Sequence, residues 1–152
     1  MKWKPAKTAR ANAKKLLPKL VDEYFESGRK AVEGKKSPKA LHRFRLITKK
    51  FRYSLELFRP IYGPSLDRRL ETLRELQNVL GKVSDYAAIR KLLIDDHALA
   101  AKARRALHRT SDEFRERWQS FDRTGQLRDW KLYLARAGAS AERKKHRPKP
   151  SP

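Results

Sequence analysis

The chain has 152 residues, and its 39 Lys and Arg against 17 Asp and Glu give a formal net charge of +22. That length suits one domain, while such a charge opposes compaction and calls for a polyanionic partner such as nucleic acid, an anionic membrane or polyphosphate. The absence of cysteine excludes disulfides, thiolate metal sites and cysteine nucleophiles. No apolar run approaches the roughly 20 residues of a membrane span. The basic N-terminus lacks the apolar stretch of a signal peptide, so a soluble cytoplasmic protein is expected.

The charge is uneven. Residues 1–62 carry 18 Lys/Arg and 5 acids, residues 63–97 carry 6 of each, and residues 98–152 carry 15 and 6. A neutral middle suggests a basic working face backed by a buttress. The domain division expected is a helical bundle over 1–137 and a basic, disordered tail over 138–152, where one acid and three prolines accompany five Lys/Arg.

Helical periodicity dominates, and no alternating strand pattern of useful length occurs. Helix one is expected from about Ala6 to Glu33, kinked or restarted at Pro18 and stopped by Gly34. Helix two begins with Ser37 as N-cap and Pro38 at its first position, and runs to about Arg59, before Pro60. Gly63-Pro64 marks the next turn. Helix three carries Leu66, Leu70, Leu73, Leu76, Leu80 and Val83. Ser84 or Asp85 is expected to cap a short helix four, ending near Leu93. Asp95 or Asp96 is expected to cap helix five, which carries Leu99, Ala103, Leu107, Thr110, Phe114, Trp118 and Phe121, and Gly125 breaks it. A last helix carries Leu127, Trp130 and Leu134. Short connections between long amphipathic helices predict an all-α, antiparallel bundle of five to six helices.

Helix two carries the chemistry. At about 100° per residue, His42, Arg45, Lys49, Arg52, Tyr53 and Glu56 fall within an arc of about 100°. Leu41, Phe44, Phe51, Leu55 and Phe58 occupy another arc and face the core. Steps of 3, 4 and 3 residues rise about 5 Å each, a spacing suited to successive phosphates lying along the helix. Arg offers a rigid fork for phosphate oxygens, Lys a mobile point charge, and Tyr53 a hydroxyl donor. Glu56 is expected to hold Arg52 or a cation from another helix. Lys7, Arg10 and Lys14 form a parallel basic row on helix one, and Lys50 lies off the stripe. A solvated amphipathic face would also show charge here, but like charges without interleaved acids and an in-line histidine favour a site. Crowded by cations, the His42 imidazole favours its neutral form, and a bound polyanion reverses this. Anion binding is therefore expected to strengthen as pH falls through the histidine range.

These residues resemble the signature of CHAD domains, the conserved histidine α-helical domains: His42-x-x-Arg45, Lys49, Arg52-Tyr53, Glu56 and Phe58. A second block, Leu76-Gln77-x-x-Leu80-Gly81-x-x-x-Asp85, resembles the segment that follows the basic helix in that family. The resemblance is sharp over about 37–93. It implies an all-helical fold that binds inorganic polyphosphate, with His42, Arg45, Lys49, Arg52 and Tyr53 as binding residues, joined less closely by Lys50. Gln77 and Asp85 are implied to be structural, Asp85 as a group that orients an Arg of helix two. It also implies a cytoplasmic location, including polyphosphate granules. Family members usually contain two helical halves related by a pseudo-twofold axis, and this chain holds one. A homodimer that rebuilds the pair is therefore expected.

The alternative is a nucleic-acid-binding basic helical protein. Its totals fit, but Tyr53 alone is a poor stacking platform for single strands. An enzyme is not expected. There is no P-loop, and the compact acid–His group Asp95-Asp96-His97 reads as a helix start. No catalytic residue, metal or cofactor is assigned.

Overall fold

The computed structural model describes residues 4, 5, 8–33 and 37–145, with side chains up to residue 136. The elements are α1 (Ala9–Glu33), α2 (Pro38–Leu57), α3 (Arg59–Tyr62), a 3-10 turn (Gly63–Leu66), α4 (Asp67–Leu92), α5 (His97–Phe121) and α6 (Gln126–Lys145). The protein is all-α, with five long helices and one single-turn helix, and no strand occurs among the described residues.

Local chemistry sets the boundaries. The Thr8 hydroxyl accepts from the Ala11 N–H at 3.2 Å and opens α1. Pro18 sits inside α1 without dividing it. The stop expected at Gly34 lies outside the described residues. Ser37 caps α2, its hydroxyl accepting from Ala40 N–H at 3.4 Å. Helix two ends at Leu57, and Pro60 falls inside α3 rather than beyond a helix reaching Arg59. Gly63 takes φ +67°, a left-handed conformation that reverses the chain into α4. Asp96 rather than Asp95 caps α5, accepting from Leu99 N–H at 2.9 Å. The expected break at Ser84 or Asp85 is absent, because α4 is continuous through both. Ser84 returns its hydroxyl hydrogen to the Leu80 carbonyl (3.1 Å), a bond made inside a helix and not at its start. The region expected as a tail overlaps α6, which continues to Lys145.

The core is aromatic at its centre. Tyr24 of α1 stacks on Phe51 and Phe44 of α2, at centroid distances of 4.4 and 5.2 Å, and meets the edge of Trp118 from α5 at 5.7 Å. Trp130 of α6 closes over Phe51 at 5.7 Å. Such pairs add about 0.5–1.5 kcal/mol each beyond the area they bury. Gly28 admits the Trp118 ring, since a Cβ there would stand 2.1 Å from two ring carbons. Leu70, Leu73, Leu76, Leu80 and Val83 line the buried face of α4. Two ion pairs tie the outer helices to α1: Arg29 with Asp122 at the end of α5, and Lys131 of α6 with Asp22.

Candidate functional site

Every residue of α2 belongs to one of three strips. Leu41, Phe44, Thr48, Phe51 and Leu55 are buried. Arg45, Arg52 and Glu56 are half-buried, and His42, Lys49, Lys50 and Tyr53 are exposed. The half-buried strip faces α4, which runs antiparallel. Gln77, Gly81 and Ser84, spaced by four and three, share one face of α4 and receive three members of the basic row. His42 Nδ1 lies 3.2 Å from Ser84 Oγ. Arg45 lies over Gly81, where a Cβ would come 3.9 Å from its Nε. Arg52 Nε donates to Gln77 Oε1 at 3.1 Å.

Glu56 accepts from Arg52 on its own helix and from Arg74 of α4 at 3.4 Å. Arg74 also donates to Glu71 at 3.0 Å, and these bonds raise its pKa further above that of a free guanidinium. The charges of the row are therefore unequal. Arg52 is 11% exposed and already holds a carboxylate. Arg45 has no carboxylate partner among the described residues, and its buried Nε has no acceptor. Lys49 has no carboxylate partner there either, and its ammonium stands 5.7 Å from the Tyr53 centroid. The Arg52 guanidinium covers the same ring at 4.4 Å, so two cations hold Tyr53 in place. Arg45 and Lys49, with His42 in line beside them, thus leave uncompensated positive charge along the α2–α4 seam.

Beside the line is an open depression of about 680 Å³ formed by Leu46, Lys49, Lys50, Tyr53, Ser54, Glu56 and Leu57. It places Lys50 next to the row rather than in it. Arg10 and Lys14 belong to α1, which meets α2 on the Phe44 and Phe51 side, roughly 100° around the helix from Arg45. They are not brought into the seam, and Lys7 lies outside the described residues. Asp85 is exposed and makes no ion pair among the described residues. The polar group turned toward α2 is its neighbour Ser84, which sequence reasoning missed. The signal was the spacing of Gln77, Gly81 and Ser84, which becomes legible once the register against α2 is known.

A larger groove, of about 910 Å³, lies on α1, α6 and the α5–α6 turn, where Arg29 and Lys131 are already paired. Asp95 and His97 flank the cap of α5, and no group of three or more His, Cys, Asp or Glu able to hold a metal occurs among the described residues. No helix among them is long and apolar enough to cross a membrane.

Compared with known proteins, the chain matches the family model for the CHAD domain over residues 2–94. That span contains α1 to α4 and the whole α2–α4 seam. The family is associated with polyphosphate binding. No curated protein and no solved structure matches the chain.

Proposed function

This chain belongs to the CHAD domain family, and on that premise we propose that it binds inorganic polyphosphate along the α2–α4 seam without acting on it chemically. The observation that carries the reading is the run of His42, Arg45 and Lys49 without a carboxylate partner, backed by α4. A linear anion laid along α2 meets these three in turn. Arg52 and Tyr53 extend the row beside Glu56 and Gln77, Lys50 flanks it, and Arg10 and Lys14 add longer-range attraction from α1. Affinity rests on charge, so it weakens steeply with salt as counterions are released. Nucleic acid competes for the same charge but finds, among the described residues, one exposed aromatic ring, Tyr53, on which to stack.

The working unit is a homodimer. Leu57 is 80% exposed at the C-terminal end of α2, in the depression that Leu46 and Tyr53 also line, while Leu92 and Ile94 are 83% and 74% exposed beyond the other end of α2. On an antiparallel pair of α2–α4 faces, a twofold axis brings the first patch of each copy to the second patch of its partner. The two basic rows then line one groove, and the bound polyanion offsets their repulsion.

One experiment tests the reading. Polyphosphate of defined length is titrated against wild type and the His42→Ala/Arg45→Ala variant, with solution mass measured in parallel and DNA as competitor. Weaker binding by the variant, preference for polyphosphate at matched phosphate and a mass of two chains are expected. Unchanged binding by the variant overturns the site, preferential binding of DNA overturns the ligand, and a monomer with and without polyphosphate overturns the dimer. Phosphate released from the chain with added magnesium overturns the non-enzymatic assignment.

A further inference from the structure

The hydrogen-bond directions at Ser84 fix where the proton of neutral His42 resides. Ser84 has one hydroxyl hydrogen, and it points to the Leu80 carbonyl at 3.1 Å. With that hydrogen directed at Leu80, the same oxygen acts as an acceptor toward His42, an arrangement that calls for a hydrogen on Nδ1, 3.2 Å away. A neutral imidazole holds one N–H, which leaves Nε2 with a bare lone pair. Nε2 has no protein partner among the described residues, and the ring is exposed beside Arg45.

We propose that Ser84 is a positioning residue that locks His42 in the Nδ1–H tautomer and so makes its contribution to anion binding conditional on a second proton. This rests on the seam being the anion site. In the neutral ring, Nε2 offers a lone pair to an oxyanion, and two acceptors repel. Adding a proton at Nε2 turns the same atom into a charged donor while Nδ1 stays on Ser84. The lock thus converts a histidine that could donate at any pH into one that donates only as imidazolium. Lys39, Arg45 and Lys49 share α2 with the ring, and a bound polyanion offsets their charge. On α4, Asp85 follows Ser84 at an exposed position, and the last-turn charges of α1, Lys30 and Glu33, lie on the far, Phe44 side of α2.

The test compares wild type, Ser84→Ala and Ser84→Thr. Ring 15N NMR, with His42 assigned by loss of its signals in His42→Gln, reads the tautomer of the free protein at about pH 8. Polyphosphate affinity is followed from about pH 8 to about pH 5.5 at constant salt. Wild type and Ser84→Thr should show the Nδ1–H form and an affinity that rises about tenfold on acidification, the effect of one charge-assisted hydrogen bond. The rise should be no steeper than about tenfold per pH unit, since one proton is taken up. Ser84→Ala should populate the Nε2–H form, bind more tightly than wild type at pH 8 and show a flatter profile. An Nε2–H ring in wild type, or a Ser84→Ala protein with unchanged tautomer and slope, overturns the lock. If polyphosphate binds no variant at any pH, the ligand reading fails, and the NMR result still decides whether Ser84 sets the tautomer.

Discussion

The two flanks of α2 are built on opposite rules. Toward α1, α5 and α6, Phe44 and Phe51 are nearly inaccessible and meet rings at 4.4 to 5.9 Å, so shape decides what fits. Toward α4, the outer edge of the interface is held by single polar atoms at the edge of water: Ser84 at His42 and Gln77 at Arg52, with Gly81 leaving room beside Arg45. Packing dominates stability on the first flank, because a buried aromatic side chain loses far more on truncation than a half-exposed polar pair. The polar edge of the second flank contributes less to folding than the core and keeps its charge available. One helix can therefore be held rigidly by one side while the other remains uncompensated.

Substitutions that respect or cross this division test it. The largest effect belongs to the first flank. Trp118→Ala should cost about 3–5 kcal/mol in urea unfolding, and Gly28→Ala about 1–3 kcal/mol or more, because the added methyl meets a ring with no room to withdraw. Combining Gly28→Ala with Trp118→Leu should recover part of the loss, whereas simple additivity would show that the two sites are not in contact. The second flank should behave in reverse. Arg45→Ala with Lys49→Ala should leave the unfolding free energy within about 0.5 kcal/mol of wild type. The slope of log affinity against log salt should become shallower by about 1.4, two contacts at the single-strand value. A large stability loss here would merge the two flanks into one structural role.

A smaller effect separates them by pH. Burial, with added repulsion from Tyr133, pushes the Tyr62 phenol up to about 12. Its hydroxyl donates to the Leu134 carbonyl at 2.9 Å, joining α3 to α6. A raised pKa in the folded state means that the stabilisation is complete below about pH 10, the unfolded value, and is lost as pH rises through about 12. Stability measured across that window should fall, and Tyr62→Phe should flatten the dependence.

What could be read from one dimension follows the same division. The buried strip was legible as periodicity: Phe44, Phe51 and Leu55 fall where a 3.6-residue repeat puts them, and Trp118 and Trp130 do the same on α5 and α6. The basic row was legible as an arc. Its inequalities were not, because they depend on the register between α2 and α4. The pairing of Glu56 with Arg52 was expected from their spacing, but the second partner of Arg52, Gln77, and the absence of a carboxylate at Arg45 and Lys49 among the described residues appear only once α4 is in place. Ser84 was misread for a related reason. Serine favours helix starts when its hydroxyl must satisfy an open N–H, but inside a helix the same hydroxyl can bond four residues back, and sequence alone does not separate the two. Asp85 was named where its neighbour does the work, since one residue on a helix turns the side chain by about 100°.

The unbroken course of α4 has a mechanical consequence. Gln77 and Ser84 sit on one rod, so the partners of Arg52 and His42 are tied to a single piece of backbone. Seven residues of helix set that tie at about 10.5 Å. The row is then a ruler, and whatever lies on it must do the adjusting. A chain of phosphates joined by single bonds can twist until its oxygens meet the marks. A duplex cannot, because stacked bases have already fixed its phosphate spacing. Discrimination between polyanions can thus arise from stiffness, with no contact that recognises one and rejects the other.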